Sequence, residues 1–170
     1  MRSRWKIATA LPLAALIAGA HAAEPKVAIF DFELVDTSLE GATYGVRPDQ
    51  QQRLARAADQ LRDRLAKSGR VEVVDIGAVA ARADTADLRT CDGCDAKFAR
   101  ELGADYSIIG WVQKVSNLIL NMNVAVRDAK SGRIVAVKSV DMRGNTDDTW
   151  SRAVDWLVRY DLLAPGGVFK

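Results

Sequence analysis

The spacing of apolar and polar positions changes period several times along this chain, and each change marks an element. Val27 to Phe32 is short and apolar on both faces, with Val, Ile and two Phe, which is the pattern of a central strand covered on both sides. Glu33 to Arg47 has no apolar period and holds the turn formers Asp36, Thr37, Ser38, Gly41 and Gly45, so it reads as a structureless loop. A loop of that length in a compact domain is usually functional or mobile, and this one leaves the carboxyl end of a central strand, where open α/β sheets bind ligands. From Pro48 to Ser68 the period is helical, with Leu54, Ala58, Leu61 and Leu65 on one face. Pro48 suits the first turn and Ser68-Gly69 closes the helix. Arg62 and Arg64 are interleaved with Asp59 and Asp63, so they read as a solvated face and not as a basic patch.

Arg70 to Asp75 is the second strand, Ile76 to Ala83 a short helix and Asp84 to Thr90 a polar loop. A further helix follows Cys91-Asp92-Gly93-Cys94, with Asp92 as its cap, Asp95 completing a box-like pair, and Cys94, Phe98 and Leu102 on one apolar stripe up to Gly103. Tyr106 to Val115 is the third strand. Leu118, Leu120, Met122, Val124 and Val126 alternate with Asn121, Asn123 and Arg127, giving an antiparallel strand with one polar face; the two Asn read as solvated or as contacts for a polar ligand. Asp128 to Gly132 is a hairpin turn and Ile134 to Met142 the returning strand. The closing helix spans Thr146 to Leu163, with Trp150, Ala153, Val154, Leu157 and Val158 inward. Trp156, Tyr160 and Leu163 lie beside that stripe and either widen the core or form an aromatic patch for a partner.

Assembled, these elements predict a mixed α/β fold with a five-stranded sheet. The first three strands are joined by helical crossovers and should be parallel, whereas the last three form an antiparallel meander. Right-handed crossovers put the first strand between the second and third, for a sheet order of 2-1-3-4-5 with helices packed on it.

Met1 to Ala22 changes the picture of where the chain works. Arg2, Arg4 and Lys6, an apolar Ile7 to Ala20 and the small-x-small Ala20-His21-Ala22 have the layout of a secretory signal peptide. Residues 1–22 are therefore expected to be removed, leaving 23–170 as one exported domain, periplasmic in a bacterium, without membrane insertion and with no cysteine at the cleavage point for lipid attachment. Loss of the leader lowers the formal charge from +2 to about −1, which gives no electrostatic case for nucleic acid. It also removes His21, the one histidine among 170 residues, and with it Ser-His-Asp and Cys-His catalysis and the commonest zinc sites. No dinucleotide, phosphate-loop or nucleophile-elbow motif is present, so no enzyme activity and no cofactor is expected.

Cys91 and Cys94 are the only cysteines, and an oxidising compartment implies a disulfide between them. Three readings stand: a structural staple, a redox-active dithiol, or half of a metal site. So tight a loop removes roughly 2 kcal/mol of chain entropy. Cys94 on an apolar stripe favours the staple, since a buried sulfur is not an attacking thiolate.

Lys26-Val-Ala-Ile-Phe-Asp-Phe-Glu-Leu-x-Asp-Thr-Ser-Leu-Glu-Gly, Cys91-Asp-Gly-Cys-Asp, Leu102-Gly-Ala-Asp-Tyr, Arg127-Asp-x-x-Ser-Gly-x-Ile-Val and Asp148-x-Trp-Ser-Arg together resemble an exported bacterial family known as domains of unknown function 2380 and 3280. The first-strand pattern, Gly-Ala-Asp-Tyr and the Asp-x-x-Ser-Gly hairpin are more distantly similar to the TolB amino-terminal domain, the curli-secretion channel protein and the lipoprotein activators of penicillin-binding proteins. That resemblance implies an envelope assembly or adaptor module with a mixed α/β sheet and no chemistry of its own. The expected partner is a periplasmic or outer-membrane protein, met by Asp36, Thr37, Ser38 and Tyr44 of the loop and by Trp156 and Tyr160. The alternatives are a redox accessory acting through Cys91 and Cys94, beside periplasmic quinoprotein oxidation systems, and a small-ligand binder at the mouth of the first strand.

Overall fold

The computed structural model describes residues 23–169. The expected signal peptide lies outside the described residues. One five-stranded sheet has the order β2-β1-β3-β4-β5. Its strands are β1 (Lys26–Asp36), β2 (Glu72–Val74), β3 (Tyr106–Lys114), β4 (Leu120–Asp128) and β5 (Ile134–Met142). β1 runs parallel to β2 and β3, and β3, β4 and β5 are antiparallel neighbours. This is the sheet expected from the hydrophobic pattern and the right-handed crossover rule.

The helices are α1 (Leu39–Tyr44), α2 (Pro48–Lys67), α3 (Ala80–Thr85), α4 (Cys94–Glu101) and α5 (Asp147–Trp156), the last continued by a π-helical segment, Leu157–Leu162. They cover both faces of the sheet's centre. On one face Leu54, Leu61 and Leu65 of α2 and Trp150 and Val154 of α5 pack on Ile29, Ile108, Val112, Met122 and Val124. On the other, Val79, Leu88, Phe98 and Ala99 pack on Phe30, Ile109 and Ala125. Thr146 caps α5 through a reciprocal pair with Thr149.

β1 is longer than its apolar run. Its register against β3 shifts between Ile29 and Phe32, where β1 carries one extra residue. That bulge turns Asp31 outward and puts Phe32 on the same core face as Val27 and Ile29. Pairing then continues to Asp36 opposite Lys114. The bulged carbonyl of Ile29 is satisfied by the Arg62 guanidinium, at 2.9 and 3.1 Å, which also holds Asp31 at 2.6 Å. Arg62 is thus a clamp on the central strand and not part of a solvated face. Gly110 of β3 leaves room for the Phe32 ring, which a Cβ there would overlap.

Several expected boundaries move. The loop expected at Glu33 to Arg47 is the end of β1, a Ser38-capped helix and a short linker, because pairing with β3 overrides the turn propensities. The second strand shrinks to three residues at the sheet edge and the short helix after it starts four residues later than expected, at Ala80. Leu118 belongs to the exposed β3–β4 turn and not to β4. Asp92 does not cap α4: Gly93 takes the cap position in a left-handed conformation (φ 98°) without a side-chain bond. Asp95, in the first turn of α4, makes no capping pair; it is buried, and accepts from Ser107 Oγ at 2.6 Å and from Arg127 at 3.1 Å. Asn121 and Asn123 join Ser139 and Asp141 in a cross-strand network on the open sheet face.

Candidate functional site

At the carboxyl end of β1 the chain turns through Thr37 and Ser38 into α1. Lys114, at the end of β3, reaches into this turn with 1% of its side chain exposed. Its Nζ donates to Asp36 Oδ2 at 3.0 Å and to Glu40 Oε2 at 2.8 Å. Glu40 also accepts from Asn117 at 2.9 Å and from Arg47 at 2.8 Å. Ser38 bonds Asp36 Oδ1 through its N–H and hydroxyl, and its Oγ accepts from Gly41 N at 3.0 Å. The Thr37 N–H and hydroxyl both donate to the Lys114 carbonyl.

Burial raises the Asp36 pKa, but the hydrogen bonds from Ser38 and Lys114 outweigh it and hold the carboxyl below its ordinary value. Glu40 is lowered first by Lys114 and then by Asn117. Burial works against the Lys114 ammonium, and the two carboxylates more than compensate and raise it.

So of the four loop residues singled out by sequence, Asp36, Thr37 and Ser38 come together with Lys114 and are occupied by internal partners. Thr37 is nonetheless exposed, and Tyr44 faces outward without such a partner, 79% exposed, on the same turn as the bare Leu39 and Val46. Glu40 and Lys114 were not picked out from the sequence. The available signal was parity: Lys114 continues the inward series Ile108, Gly110, Val112.

Beside this turn, between α2 and the segment from α3 to Arg89, lies a cleft of about 870 Å³. Its floor is apolar, with Phe32, Leu34, Leu54 and Ile76, and its rim carries Asp31, Glu33, Asp84, Asp87 and Arg89. Burial, with the nearby Asp87 charge, raises the Glu33 pKa above its ordinary value, and Arg89 only partly offsets this. Glu33, Asp87 and Arg89 come together only because α3 and its following loop fold back onto β1, so neither loop nor strand pattern marked them.

Cys91 and Cys94 are disulfide-bonded, and both pack against the cluster that contains Phe98 and Leu102. Among the described residues no group of three His, Cys, Asp or Glu is placed to hold a metal ion. Trp156 and Tyr160 are on the outer side of the last helix, 52% and 59% exposed, with ring centroids 4.5 Å apart. They do not widen the core, whereas Leu163 packs against it. Trp156 borders a shallow groove with Arg143 and Arg152, where α5 meets the end of β5.

Residues 25–162 match the sequence profile of the family DUF3280, described as "Protein of unknown function (DUF2380)". The chain belongs to this family. No curated protein matches the DUF3280 chain in sequence. Among solved structures it is similar to the LpoB C-terminal domain from Salmonella enterica (TM-score 0.51, 13% identity, covering 74% of this chain and 87% of that one). It is also similar to LpoB from E. coli, determined by NMR (TM-score 0.52, 15% identity, covering 72% of this chain and 59% of that one). At these identities the likeness is one of fold. TolB from Acinetobacter baumannii is matched at TM-score 0.45 and 12% identity, over 81% of this chain and 28% of that one.

Proposed function

We propose that this DUF3280 protein is a non-catalytic interaction module of the bacterial cell envelope, exported to the periplasm, and that it docks a periplasmic or outer-membrane protein. The observation that carries this reading is the exposed Trp156–Tyr160 pair. Two large rings held side by side on a helix anchored by Trp150 and Val154 remove much apolar surface from water when covered and lose little side-chain entropy. Arg143 and Arg152 beside Trp156 complete the set of residue types that dominate binding hot spots. Tyr44, with Leu39 and Val46, is a second exposed apolar element on a turn made rigid by Lys114. The fold shared with the LpoB C-terminal domain, and the resemblance to envelope assembly modules, support an adaptor over an enzyme.

The test is site-specific photo-crosslinking in intact cells. A crosslinker at Tyr160 should give a discrete adduct that is absent from a control position such as Asp63 on α2. Trp156→Ala should remove that adduct while the purified protein keeps its circular dichroism and melting temperature. The same adduct at the same yield in Trp156→Ala would refute the docking face.

A further inference from the structure

β1 is second in the sheet order, yet most of its outer edge has no strand beside it. β2 pairs with it over Lys26 to Ala28 alone, whereas pairing with β3 on the inner edge continues to Asp36. Arg62 takes the carbonyl of Ile29, just past the end of β2. Beyond the bulge, Phe32 to Asp36 pair with Gly110 to Lys114 without a break. A strand with a ladder on one side turns the N–H and C=O of every second residue to the other. Among the described residues no group bonds to the main chain of Phe32 to Val35 on that outer side. The cleft of about 870 Å³ runs along this edge and is lined by every residue from Asp31 to Asp36. It is a slot in line with β2, between Leu54 and Ala55 of α2 and the segment Ala83 to Leu88. Val46, 70% exposed, lines it too.

We propose that this slot receives an extended segment of a partner protein, which joins the sheet as a strand beside β1. A row of outward main-chain donors and acceptors is complemented by an extended chain, whereas a compact ligand leaves most of the row unpaired. Five residues at roughly 3.4 Å each give an edge of about 17 Å, matched by about five residues of an incoming strand. Its side chains alternate between the two walls. Ala55 on one wall and Ala83 and Ala86 on the other leave room there for medium-sized apolar side chains. Main-chain pairing then supplies affinity and the walls supply selectivity. A second copy of this chain is the poorer occupant: its long edge, β5, carries Lys138 in mid-strand and a register irregularity, both of which oppose pairing.

Backbone NMR of the purified protein tests this. The probes are the blocked pentapeptides Val-Thr-Val-Thr-Val, Leu-Ser-Leu-Ser-Leu and Ile-Lys-Ile-Lys-Ile, each also made with every amide N-methylated so that it cannot pair. In the free protein, alternate amides of Phe32 to Asp36 should exchange about a hundredfold faster than their neighbours, which face β3. At least one probe should bind saturably and protect those amides, and its N-methylated form should bind about tenfold or more weaker. Ala55→Trp, at an exposed position on the α2 wall, should abolish binding while the melting temperature is kept. Failure of every probe to saturate at millimolar concentration, equal binding of the N-methylated forms, or binding unchanged in Ala55→Trp would overturn the proposal. So would uniform protection of Phe32 to Asp36 in the free protein, or a shift pattern confined to β5. A concentration-dependent dimer that Ala55→Trp dissolves would assign the slot to a second copy and overturn it equally. Because Trp156 and Tyr160 are not used, none of these outcomes bears on the docking face.

Discussion

Lys114 is the residue on which the β1–α1 turn depends. A lysine with 1% of its side chain exposed is tolerated only because Asp36 and Glu40 both reach its ammonium, within 3.0 Å. Lys114→Met keeps the chain length but leaves two carboxylates facing each other. It should cost about 3 kcal/mol in urea unfolding and release the turn to rapid amide exchange at Ser38 to Ala42. The two shifted carboxyls of β1 should respond to acid in opposite ways. Asp36 has a folded pKa below its ordinary 3.8, so its stabilisation is complete above that value and is lost as pH falls through the depressed one. Glu33 has a folded pKa above its ordinary 4.5, so its charge opposes folding at neutral pH, and protonation relieves that cost as pH falls through the raised value. Carboxyl carbon NMR should therefore show Glu33 titrating before Asp36 on acidification. The reverse order would contradict the assigned environments.

At the scale of elements, β1 is organised by its bulge. An unbroken alternation would have pointed Asp31 into the core beside Val27 and Ile29. The extra residue substitutes Phe32, and Arg62 takes the exposed carbonyl. Gly110 follows from the same event, since the ring lies where its side chain would be. Gly110→Ala should destabilise the protein by about 2 kcal/mol through overpacking, and adding Phe32→Leu should recover a large part of that loss. Independent, additive effects in that double mutant would mean the two residues do not meet. For the disulfide at the start of α4, Cys91→Ser with Cys94→Ser should lower stability by about 2 kcal/mol or less, because the closed loop is so short. Reduction should produce the same change in melting temperature. The free edge, β5, is protected in the usual way for an edge strand: a register irregularity opposite Arg127 and a lysine, Lys138, in mid-strand both oppose pairing with another sheet.

At the scale of the whole molecule, the two surfaces lie over different strands of the sheet. The aromatic pair lies beside β5, and the cleft lies against β1, with β3 and β4 between them. Substitutions in one should leave the other unaffected. Trp156→Ala should leave the titration of Glu33 unchanged, and Glu33→Gln should leave the Tyr160 crosslink unchanged. A cross-effect would show that the two surfaces are coupled through the α2–α5 contact.

The sheet order, its mixed direction, the amphipathic α2, the hairpin at Asp128 to Gly132 and the Cys91–Cys94 pairing were all legible in the order of residues. Each depends on local periodicity, on short sequence separation, or on the handedness that a crossover imposes on any chain. Trp156 and Tyr160 were legible as residues beside the inward stripe, but their exposure was not, since it depends on how far α5 rolls over β4 and β5. The bulge at Asp31, the burial of Lys114 and Asp95, the clamp by Arg62 and the acidic cleft were decided only in three dimensions. Each joins residues distant along the chain: Lys114 is 78 residues from Asp36, and Arg62 is 33 from Ile29. Their energies come from desolvation and from partners that no local pattern specifies. Sequence alone determines which faces are apolar, and tertiary packing decides which polar groups are taken out of water and what they must meet there.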